Sequence, residues 1–450
     1  MDGLLEKQLS GTKKKLEGEI IVAKLKVSLK MARLLDRHVQ FIRKGFIDNA
    51  TSLLRGQEVV ISEARVKKII RGSRYRTLND QRKLALSRIE KEFQRGVLTQ
   101  LRDSMRADIE AQFDKFWPGL DFKEVYLDLL SDQNALLTAS RGSITEEEAK
   151  LFGSPLSQKS KSFRTEDLPA LYYMDQLLNE RGNVGKKKRI IPPFKHVVID
   201  EAQDVSPLEF LLLYRYSSNK SFTILGDIGQ CVLPHRGITG WREVKQIFSK
   251  ENAYRWDAHI SYRATYEITK YANRILKIIA PGMPRAIPYN RHGEKPTFIR
   301  SKSYADMVTT IAKDIRSLQD EGIQTIAVLC KTSKEASKLQ QRLLKEGIKD
   351  AVRLDRPSYE RTKIAVSSVY LMKGLEYDAV ILANARKNNY TGSILHNRLL
   401  YIAVTRAAHL LHIHWFGALA DALIDPALLP KTKKTKARKK PKRKKKAKSG

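Results

Sequence analysis

The sequence predicts an α/β protein with parallel β-sheets, preceded by a long helical region. Short apolar runs rich in β-branched residues end in polar and acidic residues at 196–204 and 222–230. This pattern is typical of buried parallel strands that carry chemistry at their carboxyl ends. Further strand-like runs at 325–330, 363–369 and 377–383 alternate with helical segments. Alternation of this kind indicates a second parallel sheet.

The helical region extends over residues 1–192. Charged residues alternate there with apolar ones at spacings of three and four, and no strand core is evident. Amphipathic stripes are clearest at 23–39 and 77–93. We therefore expect helices packed on helices in this part of the chain.

Charge points to a polyanionic partner. The chain has 450 residues, enough for two or three cores, and a formal net charge of +35. Nucleic acid is the simplest partner for such a charge. Residues 431–450 hold 13 basic and no acidic residues, which leaves +22 for the rest. This tail is predicted to be disordered and to hold phosphate backbones without reading sequence, through residues such as Lys439, Lys440 and Arg443.

Cysteine content and hydropathy limit the cellular setting. Cys231 and Cys330 are the two cysteines of the chain, so neither a disulfide scaffold nor a zinc cluster is supported. A reducing, cytoplasmic location fits this usage. The first residues lack the apolar run of a signal peptide, and no stretch reaches about 18 apolar residues. Secretion and a membrane partner are therefore disfavoured.

The acidic residues at the first strand end suggest phosphoryl transfer. Asp200 is suited to hold Mg²⁺, Glu201 to orient or deprotonate a water molecule, and Gln230 to contact the terminal phosphate of a nucleotide. The alternative is that Asp200 and Glu201 merely cap a helix that begins near Ser206, because acidic residues favour helix starts. Carboxylates at both strand ends favour the chemical interpretation.

At these positions the sequence resembles a known family. Residues 200–204, Asp-Glu-Ala-Gln-Asp, and 226–230, Gly-Asp-Ile-Gly-Gln, resemble the Walker B and third motifs of UvrD/Rep-type superfamily-1 helicases. The resemblance implies a RecA-like P-loop NTPase motor that uses ATP and Mg²⁺. It also implies catalytic roles for Asp200, Glu201 and Gln230, and nucleotide contacts for Gln203 and Asp227.

Three later segments resemble further motifs of the same family. In residues 261–273, Arg263 is implied to reach the γ-phosphate; the alternative is a surface arginine at the start of a helix that Thr265 or Ser261 caps. In residues 399–407, Arg406 is implied to be the catalytic arginine finger that neutralises transition-state charge.

The segment 368–377 resembles the fifth motif. Lys373 and Gly374 are implied to form a turn, with Gly374 and Glu376 close to the nucleotide. Tyr370 and Lys373 are implied to contact nucleic acid. The five motifs occur in the family's order, and the resemblance covers roughly residues 20–420.

The chain is most similar to the HelD (helicase IV-like) branch. Residues 116–130 and 165–173 resemble the helical insertion of that branch, which interrupts the first motor domain. The resemblance implies 3′ to 5′ movement on DNA and RNA polymerase as a partner. We expect a helical insertion at 1–192, the remainder of a first, incomplete RecA-like domain at 193–258, a complete second one at 259–425, and the tail at 426–450.

A Walker A segment, Gly-x-x-x-x-Gly-Lys followed by Thr or Ser, is absent from the sequence. Residues 181–189 are basic, but their glycine spacing and context predict a plain loop. We therefore expect either a truncated motor or a split one in which a separate chain supplies the phosphate loop. The alternative is a non-catalytic remnant that binds nucleic acid or RNA polymerase.

Histidines cluster near the end of the sheet region. Of His409, His412 and His414, only the last two share a strand face, and no further ligand follows in the sequence. The segment is predicted to be the last strand of the second sheet. No metal site is predicted there.

Overall fold

The structure is a computed structural model. It describes residues 3–10, 14–73, 77–94, 102–152, 163–179, 193–233, 235–248, 253–355 and 363–429. The chain divides into two compact units, residues 1–257 and 258–450.

Helices dominate the first part of the first unit. Polar residues before the first turns explain several of their starts: the side chains of Ser28, Thr77, Asp121 and Asp132 accept hydrogen bonds from backbone N–H groups there. The helices are α1 (Gly3–Ser10), α2 (Lys14–Lys26), α3 (Leu29–Asp48), α4 (Glu63–Gly72), α5 (Leu78–Phe93), α6 (Arg102–Asp114), α7 (Phe122–Ser131), α8 (Gln133–Ser140), α9 (Glu146–Phe152) and α10 (Leu168–Leu178).

These helices share one apolar core. Trp117 is fully buried in this core and stacks on Phe46 and Phe113, with ring centroids 5.2 and 5.8 Å away. Leu208 and Leu212 belong to the same core, although they follow the helical region in sequence. The helical region and the segment around residue 200 therefore fold together within the first unit.

A β-hairpin interrupts the helical region, in which no strand is predicted from the sequence. Strand β1 (Leu53–Arg55) pairs antiparallel with β2 (Glu58–Ile61). Gly56 adopts φ of +61° in the turn, a conformation that glycine tolerates best. Leu53 and Ile61 are buried in the helical core, so packing stabilises strands too short to be recognised by periodicity.

The predicted strand pair around residue 200 is present and parallel. Strand β3 (Phe194–Ile199) pairs with β4 (Ser217–Ile224), and helix α11 (Pro207–Tyr216) connects them. A short helix, α12 (Trp241–Lys245), follows. The rings of Tyr214, Phe222 and Phe248 pack together, with centroids 5.0–6.2 Å apart.

The expectation that these two strands are buried is wrong. Val198 is 63% exposed and Phe194 is 46% exposed. On the face of Val198, the imidazole of His196 forms hydrogen bonds with Ser221 and Thr223 at 2.8 and 3.1 Å. A sheet of only two described strands, packed on one side, leaves its other face open to solvent.

The second unit contains a six-stranded, fully parallel sheet, which confirms the α/β class. The six strands of the sheet are β7 (Thr297–Ser301), β8 (Ile326–Cys330), β9 (Ala351–Arg353), β10 (Ile364–Ser368), β11 (Tyr377–Leu382) and β12 (Ala407–Phe416), and two shorter strands before them, β5 (Ile260–Ser261) and β6 (Ile287–Pro288), form a separate parallel pair. The strand order in the sheet is β7-β12-β11-β8-β10-β9, and β8 and β10 are buried throughout.

Four helices of the described residues pack beside this sheet. They are α13 (Tyr266–Ile279), α14 (Tyr304–Asp320), α15 (Ser333–Lys345) and α16 (Ile394–Thr405). Thr265, one of the two predicted caps, accepts a hydrogen bond from Ile268 N–H and caps α13. Both cysteines are buried, and neither forms a disulfide. In the described ranges, no helix is both long and apolar enough to cross a bilayer.

Candidate functional site

The candidate site of the first unit lies where β3 and β4 end. Leu225 N–H donates to Ile199 O at 2.8 Å, and Ala202 N–H donates to Leu225 O at 2.9 Å. These bonds extend the pairing of the two strands beyond their last residues. The segments that carry Asp200 and Asp227 are therefore held side by side at one edge of the sheet.

Side-chain hydrogen bonds join the residues that the motifs singled out. Glu201 N–H donates to Asp200 Oδ1 at 2.8 Å, and Gln203 Nε2 donates to Glu201 Oε2 at 2.6 Å. Gln203 Oε1 accepts from Asp227 N–H at 2.9 Å, and Gln230 Nε2 donates to Asp227 Oδ2 at 2.9 Å. Five predicted site residues thus form one continuous hydrogen-bonded chain.

Gln203 lies at the centre of this chain and is fully buried. Its side-chain amide bridges the two strand ends: Nε2 donates to Glu201 after β3, and Oε1 accepts from Asp227 after β4. Gly226 and Gly237 approach it so closely that a Cβ on Gly226 would meet Gln203 Oε1 at 2.6 Å and one on Gly237 would meet Gln203 O at 2.1 Å. Gln203 is therefore a positioning residue, and the two glycines are required by its packing.

The helix-cap interpretation of the carboxylates does not hold. Helix α11 is capped by Ser206, whose Oγ accepts from Glu209 N–H, while the Glu209 carboxylate accepts from Ser206 N–H. This reciprocal capping box satisfies the helix start without Asp200 or Glu201. Glu201 precedes a single 3-10 turn, Ala202–Asp204, and its side chain makes no capping bond there.

The two carboxylates face solvent in an unusual backbone geometry. Asp200 is exposed and Glu201 is half-buried. Glu201 has φ of +51°, a left-handed conformation that costs a non-glycine residue on the order of 1 kcal/mol and that clusters at functional sites. Carboxylate oxygens are the donors that Mg²⁺ prefers, so the donor set of Asp200 and Glu201 fits that ion.

In the second unit, Arg263 and Glu376 form an ion pair. Arg263 Nε lies 2.5 Å from Glu376 Oε1, and about half of each side chain is exposed. These two residues are more than 100 positions apart in sequence and come from two different predicted motifs. The pair leaves the arginine at the surface, where an anion is able to reach it.

The segment between β10 and β11 forms a compact turn. Residues Val369–Met372 make one 3-10 turn, and Lys373 N–H donates to Tyr370 O at 3.3 Å. Gly374 follows with φ of +80°, a conformation that glycine adopts readily. Tyr370 and Lys373 are half-buried.

Arg406 does not project into solvent. It is only 1% exposed. Its guanidinium donates to Ile402 O at 3.2 Å and to Leu375 O at 3.1 Å. These bonds tie the end of α16 to the residues before β11.

Asp314 is a residue that sequence reasoning missed. Its carboxylate binds His412 Nδ1 at 2.8 Å and His414 Nε2 at 2.7 Å, so α14 supplies the carboxylate that no residue near the histidines provides. Burial raises the pKa of Asp314, but the hydrogen bonds from both histidines outweigh it and hold that pKa at about 2. In the described ranges, no group of three or more metal-ligating residues is arranged to hold an ion.

Two sets of predictions concern residues that the structure does not describe. The tail contacts proposed for Lys439, Lys440 and Arg443 lie outside the described residues, as does the basic loop at 181–189. Both stay predictions from sequence.

Comparison with known proteins concerns the second unit. Residues 258–354 match a family model described as the UvrD-like helicase C-terminal domain, and residues 363–414 match a second model with the same description. No curated protein matches the chain. The chain is also similar to a crystal structure of the C-terminal domain of a possible DNA helicase from Lactobacillus plantarum WCFS1. The identity is 26%, the match covers 37% of this chain and 96% of that one, and the TM-score is 0.32. By these two family matches, most of the second unit is similar to the C-terminal domains of UvrD-like helicases.

Proposed function

We propose that the chain is part of an ATP-dependent superfamily-1 helicase or translocase that acts on DNA. The observation that carries this proposal is the hydrogen-bonded chain from Asp200 to Gln230 at the carboxyl ends of two paired parallel strands. Such an edge is where α/β proteins bind nucleotides. The family matches of the second unit give independent support.

The roles of the residues follow from their chemistry. When bound, Mg²⁺ would supply positive charge beside the phosphates, with Asp200 as its ligand. Glu201 orients and deprotonates the attacking water, and Gln230 contacts the terminal phosphate. Gln203 and Asp227 hold these groups in place through the bonds described above.

In the second unit, Arg263 is proposed to bind a phosphate of the nucleotide. Its ion pair with Glu376 would then be replaced by an ion pair with that phosphate. Arg406 is proposed to neutralise charge in the transition state. Its burial means that this role requires a rearrangement of its bonds to Ile402 and Leu375. Tyr370 and Lys373, with Gly374 in their turn, are proposed to contact the nucleic-acid strand.

The HelD-like branch, RNA polymerase as a partner and 3′ to 5′ movement are further parts of the proposal. They are supported by the sequence resemblance of the helical region. The long helical core of the first unit, which packs against α11 through Leu208 and Leu212, is consistent with a helical insertion beside the strands β3 and β4.

A separate segment that supplies the phosphate loop is also proposed. Exposed apolar side chains of the first unit support it: Val198 and Leu225 beside the candidate site, and the stacked rings of Tyr254 and Trp256, which are 80% and 85% exposed. Large exposed apolar side chains of this kind mark contact surfaces. Further strands paired with β3 or β4 would cover part of them.

The decisive experiment measures DNA-stimulated ATP hydrolysis. The 450-residue chain alone should show no turnover above a Glu201→Gln variant, because the main phosphate cradle is missing. Adding a polypeptide that carries a Walker A segment from the same genome, fused or separate, should restore turnover that Glu201→Gln abolishes. Robust turnover by the chain alone would contradict the need for a further segment.

The second candidate function is a non-catalytic module that binds nucleic acid. The buried guanidinium of Arg406 favours it, because that group is engaged in holding α16 to β11. If this second function is correct, the chain should bind DNA, but the chain combined with a Walker A polypeptide should still not hydrolyse ATP.

A further inference from the structure

A surface cavity in the second unit is lined by residues that lie outside the five predicted motifs. Its volume is about 520 Å³. Ser303 follows β7, Glu335 follows β8, Asn384 follows β11 and Phe416 ends β12, and all four line the cavity. The cavity therefore lies at the carboxyl ends of four parallel strands, the edge where α/β sheets bind ligands.

Three cations surround one pair of aromatic rings in this cavity. Lys338 Nζ and Arg342 Cζ lie 5.3 and 5.0 Å from the centre of the Tyr304 ring. Arg386 Cζ lies 4.6 Å from the centre of the Phe416 ring. The rings of Tyr304 and Phe416 meet edge to face with centroids 6.2 Å apart. The three cations therefore lie close to one pair of contacting rings.

The positive charge of the cavity is not neutralised within the described part of the chain. None of the three cations forms an ion pair there. Glu335 is the carboxylate among the lining residues, and it accepts hydrogen bonds from Asn384 Nδ2 and Asn389 Nδ2 at 2.9 and 3.4 Å. Three cations against one carboxylate make the cavity attractive to a multivalent anion.

Two buried polar atoms at the cavity have no partner among the described residues. Asn384 is only 6% exposed, and its Oδ1 accepts no hydrogen bond. Arg386 Nε is also buried without an acceptor. An unpaired buried acceptor calls for a donor, and an unpaired guanidinium N–H calls for an acceptor. A ligand that carries both anionic oxygens and a hydroxyl group provides the two together.

We propose that this cavity binds a phosphorylated sugar. The phosphate lies among Lys338, Arg342 and Arg386, and a sugar hydroxyl donates to Asn384 Oδ1. Phosphate fits better than a carboxylate because three cations match its charge and its three free oxygens. Two sources share this chemistry, a free nucleotide and the phosphorylated 5′ end of a nucleic-acid strand. None of the lining residues belongs to the site at Asp200. The test of this cavity is therefore independent of the test of the proposed function.

The test is calorimetric titration of the full chain in the presence of EDTA, which removes Mg²⁺-dependent binding. Ribose 5-phosphate should bind more tightly than inorganic phosphate, and ribose should not bind. Arg342→Gln and Arg386→Gln should each weaken ribose 5-phosphate binding about tenfold, the usual effect of losing a charged hydrogen bond. Lys345→Gln is the matched control, because it removes the same charge from an exposed position on the same helix outside the cavity.

A further variant tests recognition of the sugar separately from recognition of the phosphate. Asn384 has φ of +55°, which glycine tolerates, so Asn384→Gly removes the amide without backbone strain. This variant should bind ribose 5-phosphate no better than inorganic phosphate. Equal losses in Arg342→Gln and Lys345→Gln, or full discrimination by Asn384→Gly, would overturn the proposal. Circular dichroism of each variant checks that it is folded.

Dinucleotides distinguish the two sources. A 5′-phosphorylated dinucleotide that binds as tightly as a mononucleotide identifies the end of a strand, whereas binding of the mononucleotide alone identifies a free nucleotide. Equal binding of dinucleotides with and without the 5′-phosphate would contradict a site for a terminal phosphate.

Discussion

Gln203 and Asp227 are joined by a hydrogen bond of 2.9 Å from the backbone N–H of Asp227 to the side-chain oxygen of Gln203. The bond connects the ends of two neighbouring strands, and the other end of the same amide holds the carboxylate of Glu201. A fully buried side chain with both polar atoms engaged is rigid. The placement of the predicted catalytic carboxylates therefore depends on Gln203.

Replacing Gln203 should destabilise the first unit. Gln203→Ala removes two part-buried hydrogen bonds, one from the backbone N–H of Asp227 and one to the carboxylate of Glu201, at a cost of about 1–3 kcal/mol in the free energy of unfolding. Denaturant unfolding measures this loss. Gln246→Ala, at an exposed position of the same unit, should change stability by less than about 0.5 kcal/mol. Equal effects of the two variants would contradict a bridging role.

The close approach of Gly237 to Gln203 gives a second prediction. Gly237→Ala places a Cβ about where Gln203 O already lies, so the backbone must move and stability should fall by about 1–3 kcal/mol. Gly240→Ala is the control, because no atom lies within 4 Å of its added Cβ. If both variants unfold at the same denaturant concentration, the loop does not pack on Gln203 as described.

Asp314 should make the second unit acid-sensitive. Its folded-state pKa of about 2 lies below the ordinary value of 3.8, so its contribution is fully present above pH 4 and is lost as the pH falls toward 2. The loss should be about 2 kcal/mol. Asp314→Asn should flatten the stability profile over this range relative to the unsubstituted chain. Asp320→Asn, at an exposed position of the same helix, should leave the profile unchanged.

The ion pair of Arg263 and Glu376 should contribute little to stability. Both side chains are about half exposed, and exposed pairs contribute roughly 0–1 kcal/mol. Arg263→Gln should therefore change the free energy of unfolding no more than Arg353→Gln, which breaks the exposed pair with Asp355 in the same unit. A much larger loss for Arg263→Gln would mean that this arginine is structural and not available to an anion.

The tail should govern the salt dependence of DNA binding. Residues 431–450 carry 13 basic residues, and each neutralised phosphate steepens the fall of log K with log salt. Deleting them should lower both that slope and the affinity, as measured by fluorescence anisotropy at several salt concentrations. An unchanged slope would remove the tail from the interface.

The sequence by itself determined the parallel sheet elements and the position of the motifs along them. The strand predicted at 325–330 is Ile326–Cys330, and the one predicted at 377–383 is Tyr377–Leu382. Both are apolar runs rich in β-branched residues, and such local patterns survive folding because the buried sheet requires them. The carboxylates at 200–204 also follow a strand, β3, as the sequence predicts, although that strand is largely exposed.

Tertiary structure alone decided how these elements are covered and which distant side chains meet. The exposure of Val198, the burial of Arg406 and the contact of Asp314 with two histidines about a hundred residues away depend on packing between segments far apart in sequence. Periodicity encodes which side of one element is apolar, and it carries no information about which other element covers that side. Only the folded chain fixes those partners, since each contact is set by the geometry of both.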